Sequence, residues 1–207
     1  MHSCIILCGG RSQRMGTDKG LISLDSKPLI IHIMQTLERL ADEIILVFRD
    51  EKQLSLYEKH INHFKKHLKE DGLLIKMITD QEMDKGPLMG LFTGLTHVES
   101  YGALVLPCDS PFISSDFVKM IFKCVEDDKT NEYSAIVPQW PDGSVEPLHA
   151  YYHKKCLPLI KNRLKEGFND VKSLYKVVKV NYVDVNLLDP EKTSFRNLNR
   201  PEDLNSS

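Results

Sequence analysis

Short apolar runs alternate with segments of helical period along this chain, a rhythm that restricts it to α/β units stacked around a mainly parallel sheet. Ser3 to Leu7, Ile44 to Phe48, Leu74 to Ile78 and Ala103 to Leu106 read as strands buried on both faces. Later strands are expected at Ala135 to Val137 and Val177 to Val185. Between them, a helix opening at Pro28 places Ile30, Ile33, Met34, Leu37 and Ala41 on one face. A surface helix from Glu51 to about Lys69 carries a thin stripe of Leu54, Tyr57, Ile61, Phe64 and Leu68. Leu88 to Val98 and Asp116 to Val125 complete the helical set, the latter with Phe117, Val118, Ile121, Phe122 and Val125 on a shared face. At 207 residues, against a prior of ~150 per domain, and with no repeat or linker, one domain spanning residues 1–207 is expected.

The 27 Lys and Arg stand against 29 Asp and Glu, a formal charge of -2, so no global positive field points to nucleic acid or an anionic membrane. No stretch reaches the ~18 apolar residues of a membrane span, and the first residues are too short for a signal-peptide core, so a cytoplasmic location is expected. Cys4, Cys8, Cys108, Cys124 and Cys156 are odd in number, lack a C-x-x-C pair and sit mostly in apolar runs. Reduced buried thiols fit them better than a disulfide frame or a zinc site.

Chemistry-bearing residues concentrate in three loops, each following a predicted strand, and ligands of open parallel sheets bind at the carboxyl ends of strands. The first loop, residues 8–20, holds Gly9, Gly10, Gly16 and Gly20 with the cations Arg11, Arg14 and Lys19. Glycines let backbone N–H groups wrap a phosphate and cations neutralise it; the plainer alternative is a solvated surface loop. The spacing is neither G-x-x-x-x-G-K-[ST] nor G-x-G-x-x-G, which excludes a P-loop and a dinucleotide fingerprint. The second loop begins at Thr79-Asp80-Gln81 and closes with Gly86-Pro87-Leu88-Met89-Gly90. The third, Pro107-Cys108-Asp109-Ser110-Pro111, pins a carboxylate between two prolines at a strand end, as a Mg²⁺ bridging substrate phosphates requires. A turn or helix-capping aspartate is the competing reading of Asp109, and an ordinary turn residue that of Asp80.

Together these loops resemble the molybdenum cofactor guanylyltransferases, within the wider nucleotidyltransferases. Leu7-Cys8-Gly9-Gly10-Arg11-Ser12-Gln13-Arg14-Met15-Gly16-Thr17-Asp18-Lys19-Gly20 is similar to that family's L-A-G-G-x-S-x-R-M-G-x-D-K-x signature. Lys27-Pro28-Leu29, Gly86-Pro87-Leu88-Met89-Gly90, Leu106-Pro107-Cys108-Asp109-Ser110-Pro111-Phe112 and Asn197-Leu198-Asn199-Arg200-Pro201-Glu202-Asp203-Leu204 follow in the family's order. The resemblance implies a three-layer Rossmann-like nucleotidyltransferase fold. It also implies transfer of GMP from GTP to the terminal phosphate of molybdopterin, or its molybdenum form, with release of pyrophosphate. Leu7, Cys8, Gly9 and Gly10 would line the nucleotide, Asp80 would contact it, and Lys19 and Arg14 would neutralise phosphate charge. Asp109 would bind Mg²⁺, and Asn197 and Asn199 would lie near the pterin, with Pro147-Leu148-His149-Ala150 forming part of its wall. Transient contact with molybdenum-insertion proteins or acceptor apoenzymes would follow. Two departures stand out: Cys8 replaces the usual alanine, and Ile45 to Arg49 lacks an asparagine that some members use at the base.

Other features read more simply. His60, His63 and His67 share a helix face at i, i+3 and i+7, but that helix is Lys-rich and offers no carboxylate or cysteine partner. Lys161, Arg163 and Lys165 form a solvated helix face, Trp140-Pro141-Asp142-Gly143 a hairpin or loop tip, and His149 is as well explained as a hydrogen-bonded structural histidine. The rival functions are a sister transferase, such as a molybdopterin cytidylyltransferase or a guanylyltransferase for a small phosphorylated acid, and a non-catalytic nucleotide-binding homologue.

Overall fold

In the computed structural model, residues 1–9, 18–68, 72–82 and 85–198 are described. The apolar runs form strands as expected: β1 (Ser3–Leu7), β4 (Glu43–Phe48), β5 (Leu74–Thr79), β6 (Gly102–Pro107), β7 (Ala135–Gln139) and β9 (Val180–Asp184). A short hairpin, β2 (Ser23–Leu24) with β3 (Lys27–Pro28), precedes the first helix. One further strand, β8 (Ala150–His153), was not expected. Seven strands pair in the order β5-β4-β1-β6-β8-β7-β9, and β8 runs antiparallel to both of its neighbours while the remaining pairs are parallel.

Alternation along β1 shows how the sheet divides the core. Cys4, Ile6 and Cys8 face one layer, with α1 (Leu29–Leu37), α2 (Glu51–Lys66), α4 (Ser115–Asp127) and α6 (Val185–Leu188). Ile5 and Leu7 face the other, with α3 (Gly86–His97) and α5 (Leu157–Lys165). Each fully buried Leu or Ile contributes roughly 1.5–3 kcal/mol relative to exposure, and both faces are lined by them. The result is the three-layer α/β architecture.

Boundaries shift where capping overrides periodicity. Pro28 ends β3 and precedes α1 instead of opening it, and Ala41 lies beyond that helix. The Asp50 side chain accepts from the Gln53 N–H and starts α2, and the Ser114 hydroxyl does the same for α4 through Phe117 N–H. The expected strand from Val177 begins only at Val180, because the preceding turn is 3-10 helix over Val171–Lys176, and it stops at Asp184, whose side chain caps α6. Gly94 on α3 marks the closest helix-to-sheet approach: a Cβ there would come within 2.7 Å of Ile5 Cγ2.

Candidate active site

The chain runs from β1 outward through β4 to β5 and then returns to the other side of β1 at β6. Loops leaving β1 and β6 must therefore diverge, opening a crevice at the strands' carboxyl ends. A cleft of about 460 Å³ lies there, bordered by Leu7, Cys8 and Gly9 of the first loop, Lys19, Asp80, the start of α3 at Gly86 and Pro87, and Pro107 to Asp109. Pro147, Leu148, His149 and Asn197 close the opposite side. The residues assigned from sequence to the nucleotide and metal, Leu7, Cys8, Gly9, Lys19, Asp80 and Asp109, thus converge on one cleft with Pro147, Leu148, His149 and Asn197 of the expected acceptor wall. Gly10, Arg14 and Asn199 lie outside the described residues.

Lys19 Nζ sits 2.9 Å from Asp109 Oδ2, bringing a cation and a carboxylate ninety positions apart in sequence into an ion pair at the cleft. Asp109 is largely buried, and its loop is tied down by main-chain bonds: Cys108 N–H donates to Leu7 O at 3.2 Å and Leu198 N–H to Asp109 O at 2.8 Å. The tail is thereby strapped to the carboxylate's own peptide.

Asp80 ends β5, its N–H donating to Phe48 O at 2.7 Å. Its Oδ1 is buried with no hydrogen-bond partner, and burial pushes its pKa up to about 6, partly offset by the Thr93 hydroxyl. A Cβ on Gly9 would lie 3.5 Å from Oδ2 and one on Gly90 3.8 Å from Oδ1, so the carboxylate stands between the first loop and α3. Gly86, with φ +71, lets the chain enter α3 against Asn169, whose carbonyl would stand 2.7 Å from any Cβ there.

Gln53, Tyr57 and Glu146 carry no motif and were not anticipated at the site. Gln53, almost wholly buried, donates from Nε2 to Cys8 O at 2.8 Å and to Asp18 Oδ2, while its Oε1 accepts from Arg49 N–H at 2.7 Å. The Tyr57 hydroxyl donates to Asp18 Oδ1, and burial pushes its own pKa upward. The residue before Lys19 is therefore clamped by α2. On the far wall, His149 Nε2 lies 3.1 Å from Ser110 Oγ, Ser110 Oγ donates to Asn197 Oδ1, and Glu146 accepts from Trp140 Nε1 at 2.8 Å. His149 then pairs with Glu146 from the other nitrogen, Nδ1 to Oε2 at 3.7 Å, and with the indole holds the Glu146 carboxyl below its usual range.

Apart from His149, the features set aside from sequence stay outside the cleft. His63 and His67 pack ring on ring at 4.3 Å, and among the described residues no group of three or more His, Cys, Asp or Glu is arranged to hold a metal. Arg163 pairs with Glu166 and lies over Phe168. The segment after Trp140 is the tight turn expected, with Gly143 N–H donating to Trp140 O. All five cysteines are free.

The model of the MobA-like NTP transferase domain matches residues 4–183, almost the entire sheet with all three loops. The chain belongs to this family. As a MobA-like transferase it is a nucleotidyltransferase, and its relatives align over nearly their whole length. It is 34% identical to a probable molybdenum cofactor guanylyltransferase of Methanothermobacter thermautotrophicus, covering 99% of this chain and 98% of that one. It is 33% identical to the molybdenum cofactor guanylyltransferase of Vibrio parahaemolyticus, over 98% and 92% of the two chains. Among solved structures, the molybdopterin-guanine dinucleotide biosynthesis protein A of Archaeoglobus fulgidus superposes with a TM-score of 0.78 at 25% identity, covering 99% of this chain and 95% of that chain.

Proposed function

We propose that this transferase moves the guanylyl group of GTP onto the terminal phosphate of molybdopterin, or its molybdenum form, giving molybdopterin guanine dinucleotide and pyrophosphate. The observation that carries this reading is the Lys19–Asp109 pair at the switch-point cleft, joined to full-length likeness with named guanylyltransferases. The acceptor phosphate is already an anion, so a general base contributes little and positioning with charge neutralisation carries the reaction.

In this reading Leu7, Cys8 and Gly9, with Gly10 beyond the described residues, line the nucleotide, and Asp80 offers its unpartnered oxygen to the nucleotide's donors. Lys19 exchanges its contact with Asp109 for phosphate oxygens, with Arg14 assisting. The donor set suits Mg²⁺: of the carboxylates lining the cleft, Asp109 is the one paired with Lys19, and this ion takes one or two carboxylates plus substrate phosphates instead of an all-protein cage. When bound it would neutralise phosphate charge. The whole of residues 1–207 acts as one domain, and the reaction runs in the cytoplasm, with the product passing to molybdenum-insertion proteins or acceptor apoenzymes. Among the described residues no helix is long and apolar enough to cross a membrane.

Calorimetry with GTP, CTP, UTP and ATP, with and without Mg²⁺, followed by turnover with molybdopterin, tests this reading. GTP-selective binding that needs Mg²⁺ is expected, and Asp109→Ala should lower turnover by at least about a hundredfold, the range for losing one electrostatic stabiliser. Preference for CTP would make it a sister cytidylyltransferase, a reading left open because Ile45 to Arg49 lacks the asparagine that some members use at the base. Binding without turnover would make it a non-catalytic homologue.

A further inference from the structure

We propose that Tyr57 and Gln53 are positioning residues for Lys19: from α2 they take both oxygens of the Asp18 carboxylate, and so hold the Lys19 ammonium on the cleft side of the chain, where the phosphates of the nucleotide are met. This rests on the transferase reading above.

Asp18 stands where an aspartate ordinarily caps a helical turn, here the 3-10 turn Lys19–Leu21, yet it makes no side-chain cap bond. Its carboxylate is spent on α2 instead: Oδ1 accepts from the Tyr57 hydroxyl and Oδ2 from Gln53 Nε2. Both donors are locked in place. Gln53 Oε1 accepts from Arg49 N–H at 2.7 Å, and Nε2 also donates to Cys8 O at 2.8 Å. A main-chain N–H can only donate and a carbonyl only accept, so the amide cannot be turned over. The main-chain N–H of Gln53 goes to Asp50 Oδ1 at 2.8 Å, at the start of α2. The Tyr57 ring is fully buried against Phe48, with centroids 5.0 Å apart, and Gly20 leaves room for its hydroxyl, because a Cβ there would lie 2.6 Å from it.

Consecutive residues therefore face opposite ways: Lys19 borders the cleft and reaches Asp109 Oδ2 at 2.9 Å, while Asp18 is turned to α2. The Gln53 amide also joins Cys8, where the chain leaves β1, to Asp18, and so fixes both ends of the glycine-bearing loop with one side chain. Released from α2, the carboxylate would fall back on the N–H groups of its own turn or on the neighbouring ammonium. Either choice draws Lys19 away from phosphate or sets a negative charge beside it.

A mutant cycle tests this. Tyr57→Phe keeps the ring packing and removes one donor, and by calorimetry with GTP and Mg²⁺ it should weaken binding about tenfold, the scale of one hydrogen bond to a charged group. Gln53→Met, similar in length but without the amide, should lose at least as much. In a Lys19→Ala background Tyr57→Phe should cost less than about twofold, because the hydroxyl acts through the ammonium. Equal losses in the two backgrounds, or full affinity in Tyr57→Phe or Gln53→Met, overturn the proposal. Independently of any nucleotide, spectra of ¹³Cε-lysine protein should show the Lys19 resonance, identified by its absence in Lys19→Ala, shifting in Tyr57→Phe toward its position in Asp109→Asn as the ion pair loosens. An unmoved resonance overturns the proposal even if no nucleotide binds. A wild type that binds none of GTP, CTP, UTP and ATP sinks the transferase reading instead, and the resonance still decides the positioning of Lys19.

Discussion

The Asp80 carboxylate is held between Gly9 and Gly90 with one oxygen buried and unpartnered, an arrangement that disfavours its charged form. Its folded pKa, about 6, is above the ordinary value, so its ionised form opposes folding above that pH and the opposition vanishes once the group is protonated. Asp80→Asn should therefore raise the stability of the unliganded protein at pH 8 by about 1–2 kcal/mol, after discount for partial exposure, while weakening nucleotide binding. Urea melts and calorimetry on the same samples check both halves; a destabilised variant would contradict the assignment. Glu43 has the opposite sign. Burial pushes its pKa up, but Lys76 Nζ at 2.8 Å, Ser3 Oγ at 2.6 Å and Glu99 N–H at 3.0 Å outweigh burial and leave it below the ordinary value. Its contribution is present above the unfolded pKa, about 4.3, and is lost as pH falls through the folded value. Wild-type stability should drop below about pH 4 more steeply than that of Glu43→Gln, read from urea midpoints against pH.

At the scale of elements, the packing of α3 on β1 sets the depth of the cleft, since Gly86, Pro87 and Gly90 form one wall and Leu7 part of the other. Gly94 permits that approach. Gly94→Ala should destabilise by about 1–3 kcal/mol through overpacking, and Ile5→Val in the same chain should return part of the loss. Thermal denaturation of the four proteins gives the coupling, and simple additivity would show that the contact does not set the spacing. α2 does comparable work through side chains: Gln53, Tyr57 and Ile61 are spaced by four and share a face, yet only Tyr57 and Ile61 were expected from the apolar stripe. A polar residue at the head of an apolar stripe was a visible signal for Gln53. Its partners, Cys8 O and Asp18, were not visible, because the contact joins segments 35 and 45 residues away.

For the molecule as a whole, the strap from Leu198 N–H to Asp109 O and the Ser110–Asn197 bond make residues 197 and 198 part of the site although neither lies in a strand or helix. A chain ending after Arg196 should keep its sheet and its GTP binding, because among the described residues neither core cluster includes one after Phe195, yet lose most turnover. Circular dichroism, calorimetry and the transfer assay separate these, and full turnover in the shortened chain would show that the strap is dispensable. The alternation of apolar and helical segments was enough to specify the layers, the parallel half of the sheet and the three loops, because burial on both faces writes itself into local sequence. That Leu7, Cys8, Gly9, Lys19, Asp80 and Asp109 border the cleft was expected from loops placed after strand ends together with the resemblance to the family. Strand β8 was not legible: Ala150–His153 is brief, follows a proline-containing loop and owes its conformation to pairing with β6 and β7. The Lys19–Asp109 pair, the clamp of Gln53 and Tyr57 on Asp18, and the contacts from Glu146 through His149 and Ser110 to Asn197 were decided only by the tertiary structure. Each joins groups whose meeting depends on how strands are ordered in the sheet, and strand order is fixed by long-range packing that no local window contains.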